Sequence, residues 1–106
     1  MDKYLEGVNL YNNIEYQKSA EVLLELLSLD KTHHQAWNAL GLSLIQSGEI
    51  KQAEECFSKA ILLAPHNEDY IQNLDSTRQK ISAAKSDLKK PRKRRIWIKK
   101  EQEMNR

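Results

Sequence analysis

The amino-acid sequence predicts an all-α protein built as one small unit, and three observations carry that reading. The chain has 106 residues, room for a single core or one short repeat array. Leu and Ala together number 22 against 4 for Val plus Thr, with only 3 Gly and 2 Pro, a balance that favours helices over many short strands. The sequence also matches itself at an offset of 34 residues, with two helical stretches per period. Leu, Ile, Val and Phe supply 25 residues, enough for a modest core.

The elements follow in chain order. A first helix near 2–13 and a second near 16–30 are read from the repeat: Gly7, Val8, Leu10 and Tyr11 pair with Gly41, Leu42, Leu44 and Ile45. Beyond the turn, Glu15, Ser19, Glu21, Leu23, Leu27 and Leu29 pair with Glu49, Ala53, Glu55, Phe57, Ile61 and Leu63. Ala20 also aligns with Ala53 at an offset of 33, which leaves a one-residue shift of the second helix open. A third helix over 34–47 starts at a capping box of Thr32 and Gln35 and ends at Gly48. The fourth, over 50–63, is stopped by Pro65. Gly41 and Ala53 are small where two antiparallel helices must approach, and Trp37 and Phe57 fill the space between layers. Asn67, followed by Glu68 and Asp69, starts a fifth helix that runs to about residue 90, before Pro91. Residues 91–106 are expected to be frayed helix or disorder.

Trp37-x2-Leu40-Gly41-x2-Leu44, then Ala53, Phe57, Ala60 and Pro65, resembles the tetratricopeptide repeat family, with Leu44 in the place of the usual Tyr. The resemblance covers about residues 1–82. The first repeat is degenerate, with Lys3, Glu6 and Lys31 standing where Trp37, Leu40 and Pro65 stand in the second. In a third repeat Asp75 and Arg78 replace Gly41 and Leu44, so residues 68–90 read as a capping helix. The resemblance implies a right-handed superhelix of about two hairpins, 1–33 and 34–67, plus that cap. The domain is then 1–90, and 91–106 form a basic tail.

The family's inner, concave face is built from the first helix of each repeat and holds a peptide or helix. Carried over, its lining is Tyr4, Val8 and Tyr11, then Asn38, Leu42, Ile45 and Gln46, then Gln72, Ser76 and Gln79. This implies a non-enzymatic adaptor with a protein or peptide ligand. A reading in which Val8, Leu42 and Ile45 merely complete a small core stays open at this point. Some relatives grip a C-terminal carboxylate with cations, but the corresponding places are Tyr4, Val8, Ala39, Asp69 and Asn73, so that activity is disfavoured.

Other chemistry finds no residues to carry it. The three glycines are scattered, and neither paired carboxylates nor a nucleophile with its base stands at a catalytic spacing. His33, His34 and His66 read as solvated loop histidines and Cys56 as a buried, inert thiol, so no metal or cofactor is expected. A single cysteine forms no intramolecular disulfide, which fits a reducing, cytoplasmic location, or a nuclear one in a eukaryote. No stretch has the length and apolarity of a membrane span.

Charge divides the chain. Residues 1–84 hold 7 Lys/Arg and 12 Asp/Glu, net −5; residues 85–106 hold 10 and 3, net +7. Lys89, Lys90, Arg92, Lys93, Arg94 and Arg95 form a basic run followed by Trp97. A solvated tail, docking on the body or on a second copy, nucleic-acid binding, a nuclear import signal and a membrane-surface contact all fit that run. The alternative function is therefore a nucleic-acid-binding accessory protein acting through the tail. Two repeats with a cap bury little, so homo-oligomerisation through an open end or the groove is a further expectation.

Overall fold

A computed structural model describes the backbone of residues 2–89 and the side chains of residues 2–83. Among the described residues five helices follow in order: α1 (Lys3–Asn12), α2 (Tyr16–Leu29), α3 (His34–Gln46), α4 (Ile50–Leu63) and α5 (Glu68–Lys89). All five match the expected spans to within a residue or two. Each helix packs on its sequence neighbour, giving two antiparallel hairpins followed by α5. The basic residues Lys90, Arg92, Lys93, Arg94 and Arg95, with Trp97, lie outside the described residues; Lys89 ends α5.

The core shows why the period is 34. At Gly41 an added Cβ would sit 2.6 Å from Cε1 of Phe57; at Gly7 it would sit 2.7 Å from Cγ of Leu23. Both pairs are related by the same offset, so α2 is not shifted by one residue: Ser19, fully buried, holds the place of Ala53, and Ala20 does not. Its hydroxyl uses that position, donating to the Gly7 carbonyl at 2.7 Å. Ser43 of α3 lies 3.0 Å from the Ser19 oxygen, and because the Ser19 proton is already committed, Ser43 is the donor. One repeat later Ala53 offers no partner, and Thr77, in the place of Ser43, donates 2.7 Å to the Asn73 carbonyl of its own helix.

Two apolar clusters result. Ala20, Leu23, Leu27, Ala36, Leu40 and Cys56 join α2, α3 and α4, while Ala53, Phe57 and Leu74 join α4 to α5.

The two hairpin turns are copies. The Glu49 N–H reaches the Leu44 carbonyl and the Gly48 N–H that of Ile45; Glu15 and Ile14 make the same pair of bonds to Leu10 and Tyr11. This closure puts the residue after the helix cap in the left-handed region. Gly48 adopts φ 87° without strain, but Ile14 is held at φ 67°, a rare conformation for a β-branched residue. The Ile14 side chain is 71% exposed, so no packing compensates. Relief of about 1–2 kcal/mol of backbone strain, against about 0.4–1 kcal/mol of added unfolded-chain entropy, predicts that Ile14→Gly is stabilising. A thermal melt should rise by a few degrees; an unchanged or lower midpoint contradicts this turn geometry.

The start of α3 departs from the expected capping box. Thr32 is occupied with Asp30, whose Oδ1 takes both its hydroxyl at 2.6 Å and its N–H at 3.0 Å and whose carboxyl is thereby held below its usual range. The cap is His33 instead, its Nδ1 accepting from the Ala36 N–H at 3.2 Å. Asn67 caps α5 as expected, accepting from the Tyr70 N–H at 3.2 Å.

The outer faces of the array place polar groups at several inter-layer positions, beside the exposed Leu5 on α1 and Ile71 on α5. A helix stacked on α1 the way α2 stacks on α3 would meet Glu6 and Asn9 where α3 offers Leu40 and Ser43. On α5, Asp75 replaces Gly41, and Arg78, in the place of Leu44, turns back to Glu54 at 3.1 Å. End-to-end stacking of copies would have to bury these groups.

Candidate functional site

Helices α1, α3 and α5 occupy equivalent positions in successive layers. The hydroxyl of Tyr70 lies 2.8 Å from Nδ1 of His34, and Asn73 Nδ2 donates to Asn38 Oδ1 at 2.8 Å, so α5 runs beside α3 in the same direction, about 35 residues ahead. At the other side, the Tyr4 ring of α1 lies against His33, with centroids 5.1 Å apart. These three contacts align the first helices along one face.

The sequence-derived lining residues divide by what they touch. Asn38, half-buried, is joined to α5 through Asn73. Leu42 and Ile45 are half-buried against the Ala53–Phe57–Leu74 cluster, so each is partly core and partly surface. Tyr4 packs on the other cluster while stacking on His33. Tyr11 turns toward its own hairpin partner, 5.3 Å from the Tyr16 ring. Val8 is half-buried, and Gln72, Ser76 and Gln79 are exposed. Gln46 lines a cleft between the two turns with Ile14, Glu15 and Ser47, away from the Asn38 end.

The electrostatics of this face are set by what α3 lacks. From Thr32 to Gly48 the chain holds no Asp, Glu, Lys or Arg, and the facing positions Tyr4, Val8, Tyr11, Gln72, Ser76 and Gln79 of α1 and α5 are likewise uncharged; on α5 charge flanks that row, with Asp69 before it and Lys80, in the place of Gln46, after it. Charge sits elsewhere. Lys3 pairs with Glu25 at 3.2 Å, Lys18 with Glu15 at 3.3 Å, and Lys59 stands 5.4 Å over the Trp37 ring. Glu54 of α4 is half-buried and pairs with Arg78 of α5 at 3.1 Å.

Sequence reasoning misplaced two histidines. His33 and His34 are half-buried structural groups, one a helix cap and stacking partner, the other bonded to Tyr70; His66 alone is exposed. The offset held the missing signal, because His33 aligns with the capping Asn67. Tyr70, 4% exposed, has its phenol pushed up by burial and by the neighbouring Tyr4 and Asp69.

Cys56 is buried among Leu23, Leu27 and Leu40, and desolvation pushes its thiol up to about 12. Native protein at pH 8 should therefore react with a thiol reagent only as fast as it opens, while denatured protein reacts at once; prompt labelling of the native form contradicts this burial. The sign with pH follows from the same shift. The unfolded chain ionises this thiol first, so stability present below about pH 8.5 falls as pH rises toward 12.

Among the described residues no His, Cys, Asp and Glu side chains gather as a metal set, and no helix is long and apolar enough to cross a membrane.

Comparison with known proteins agrees with this geometry. Residues 34–67 match the family model of the tetratricopeptide repeat. Protein bimA of Emericella nidulans is 30% identical over 98 residues, covering 74% of this chain, which spans only 12% of that protein's length. The Sgt2 TPR domain from Aspergillus fumigatus superposes with a TM-score of 0.78 at 22% identity, over 84% of this chain and 60% of that one. The C-terminal TPR-containing domain of a Plasmodium falciparum FK506-binding protein gives 0.70 at 25% identity, over 76% and 53%. With its repeat at residues 34–67, a hairpin of the same geometry before it and a capping helix after it, the chain belongs to the tetratricopeptide repeat family, whose domains serve as protein–protein interaction modules.

Proposed function

We propose that the protein is a non-enzymatic adaptor that holds a segment of another protein on the face of α1, α3 and α5. The observation that carries the reading is the uncharged row of that face: Tyr4, Val8, Asn38, Leu42, Ile45 and Gln72 offer apolar surface and neutral hydrogen-bonding groups, with charges displaced to the rims and the convex helices. Such a row matches an amphipathic helix or extended peptide presenting apolar and amide side chains, and between Asp69 and Lys80 it offers an acidic or basic motif no counter-charge. The single buried thiol and the family's interaction role support a cytoplasmic setting.

The test compares full-length wild type with Leu42→Glu in affinity capture, with and without nuclease, at low and high salt. Leu42 is half-buried, so the carboxylate reaches the surface of the groove while the fold is retained, as circular dichroism should verify. Groove binding predicts proteins captured by wild type, lost on Leu42→Glu, resistant to nuclease and weakly dependent on salt. Binding through the tail predicts the opposite on each count, with a log-log salt slope of about −3.5 to −4.5 if about 5 phosphates are neutralised.

A further inference from the structure

We infer that the partner held on this face is an amphipathic helix lying antiparallel to α1, α3 and α5, with an acidic first turn over Lys80 and a basic last turn over Asp69. The inference rests on the groove reading above and adds to it the partner's form and direction.

The register of α5 places the charges. Asp69 and Lys80 stand eleven residues apart, so they are separated by about 16 Å along the helix and by about 20° around it. Asn73, which bonds to Asn38 of α3, falls within about 40° of both, so the two charges lie on the edge of α5 that borders α3. Both are exposed, and among the described residues neither pairs with a counter-charge. Between them Gln72, Ser76 and Gln79 are neutral, and the matching places on α3 are the amides Gln35 and Gln46. The face thus has one negative point near its start, one positive point near its far end and an apolar centre in Val8, Leu42 and Ile45.

Spacing selects the form. A helix laid beside α5 repeats its rise, so two partner side chains eleven residues apart point to the same side and meet both charges. In an extended segment the same distance takes about five residues, and an odd spacing sends the two side chains to opposite faces. Apolar side chains three, four and seven residues apart on the partner helix, between its charged ends, then meet the apolar centre.

Direction follows from the scaffold. Helices α1, α3 and α5 run parallel, joined at their starts by the Tyr4–His33 and His34–Tyr70 contacts, so their N-termini share the Asp69 end. An antiparallel partner brings its C-terminus to that end and opposes the three helix dipoles. A helix is also stabilised by carboxylates in its own first turn and cations in its last. Charge and dipole therefore agree on one direction, whereas a parallel partner could match Asp69 and Lys80 only by carrying cations in its first turn.

The experiment uses the full chain and labelled probe peptides: a stapled fifteen-residue helix of Leu, Ala and Gln with Glu at its second position and Lys at its thirteenth, and a twin with Glu and Lys exchanged. Fluorescence anisotropy at low salt should show the first binding about tenfold more tightly, because each exposed pair contributes a factor of about 1.5 to 5 and the exchange loses both. Asp69→Lys combined with Lys80→Asp should invert the preference; both side chains are exposed, and circular dichroism checks that the fold is kept. A nitroxide at the C-terminus of the first peptide should broaden the backbone amide signals of His34 and Tyr70 and spare those of Ile45 and Lys80. Equal affinities for the twins, a preference that the double variant does not invert, or broadening at the Lys80 end overturns the direction. An unstapled, proline-interrupted peptide with the same charges that binds as tightly as the helix overturns the form, and no binding by any peptide overturns both. The groove reading fails separately: it stands if partner capture is lost on Leu42→Glu even though every peptide fails, and it falls if peptide binding is untouched by Leu42→Glu.

Discussion

Phe57→Ala should remove about 3–5 kcal/mol of stability, the largest loss expected from any single truncation here. Its ring is 1% exposed and sits with Ala53 and Leu74 in the cluster against which Leu42, Leu44, Ile45 and Ile61 pack. One side chain thus closes the second hairpin and seats α5, and Ala leaves a cavity that both contacts line. A domain of this size has about 5–15 kcal/mol in all, so the variant should be partly unfolded well below the wild-type midpoint. Urea denaturation followed by circular dichroism decides, with Leu62→Ala as control: Leu62 is 80% exposed, and its truncation should change stability by less than about 0.5 kcal/mol. Similar midpoints for the two variants would mean that Phe57 does not anchor the layers.

Gly41→Leu attacks the same contact from the other helix. A Cβ at residue 41 already falls within 2.6–2.9 Å of three ring atoms of Phe57, a buried ring with no free end to swing away. Overpacking costs about 1–3 kcal/mol for modest intrusions, and three further carbons place Leu at or above the top of that range. Gly41→Ala is milder, because the clash is set against about 1 kcal/mol gained in helix propensity. The pair also predicts coupling: Gly41→Ala should cost less in a Phe57→Leu background than in wild type, which a double-mutant cycle of urea midpoints measures. Additive effects would show that the two residues do not meet.

The helices and their pairing were legible because they rest on local signals, an offset of 34 that repeats small and large residues at fixed places and stop signals at Gly48 and Pro65. What escaped depends on partners far along the chain or on backbone closure. The Ser19–Ser43 bond spans 24 residues and Asn38–Asn73 spans 35, so neither hydroxyl nor amide announces its partner in sequence. Ile14 gives no sign of a left-handed turn residue; only its alignment with Gly48 does. Thr32 looked like the helix cap because hydroxyls favour that position, but the Asp30 carboxylate two residues before it takes the hydroxyl proton, and the next side chain, His33, supplies the acceptor. For the groove, the lack of charge on α3 was legible, whereas the division of Leu42, Ile45 and Tyr11 between surface and packing was not, because it depends on how closely α4, α5 and α2 approach.

That the face of α1, α3 and α5 is the binding surface is tested most directly by site-specific photocrosslinking in the full chain. A photoreactive phenylalanine derivative is placed at Leu42 on that face or at Leu62, an exposed leucine on α4 that would serve a convex-side partner. The account predicts a discrete protein adduct at Leu42, one that persists at high salt and after nuclease, and none at Leu62. Adducts at Leu62 with Leu42 silent would contradict it and move the interaction to the outer face.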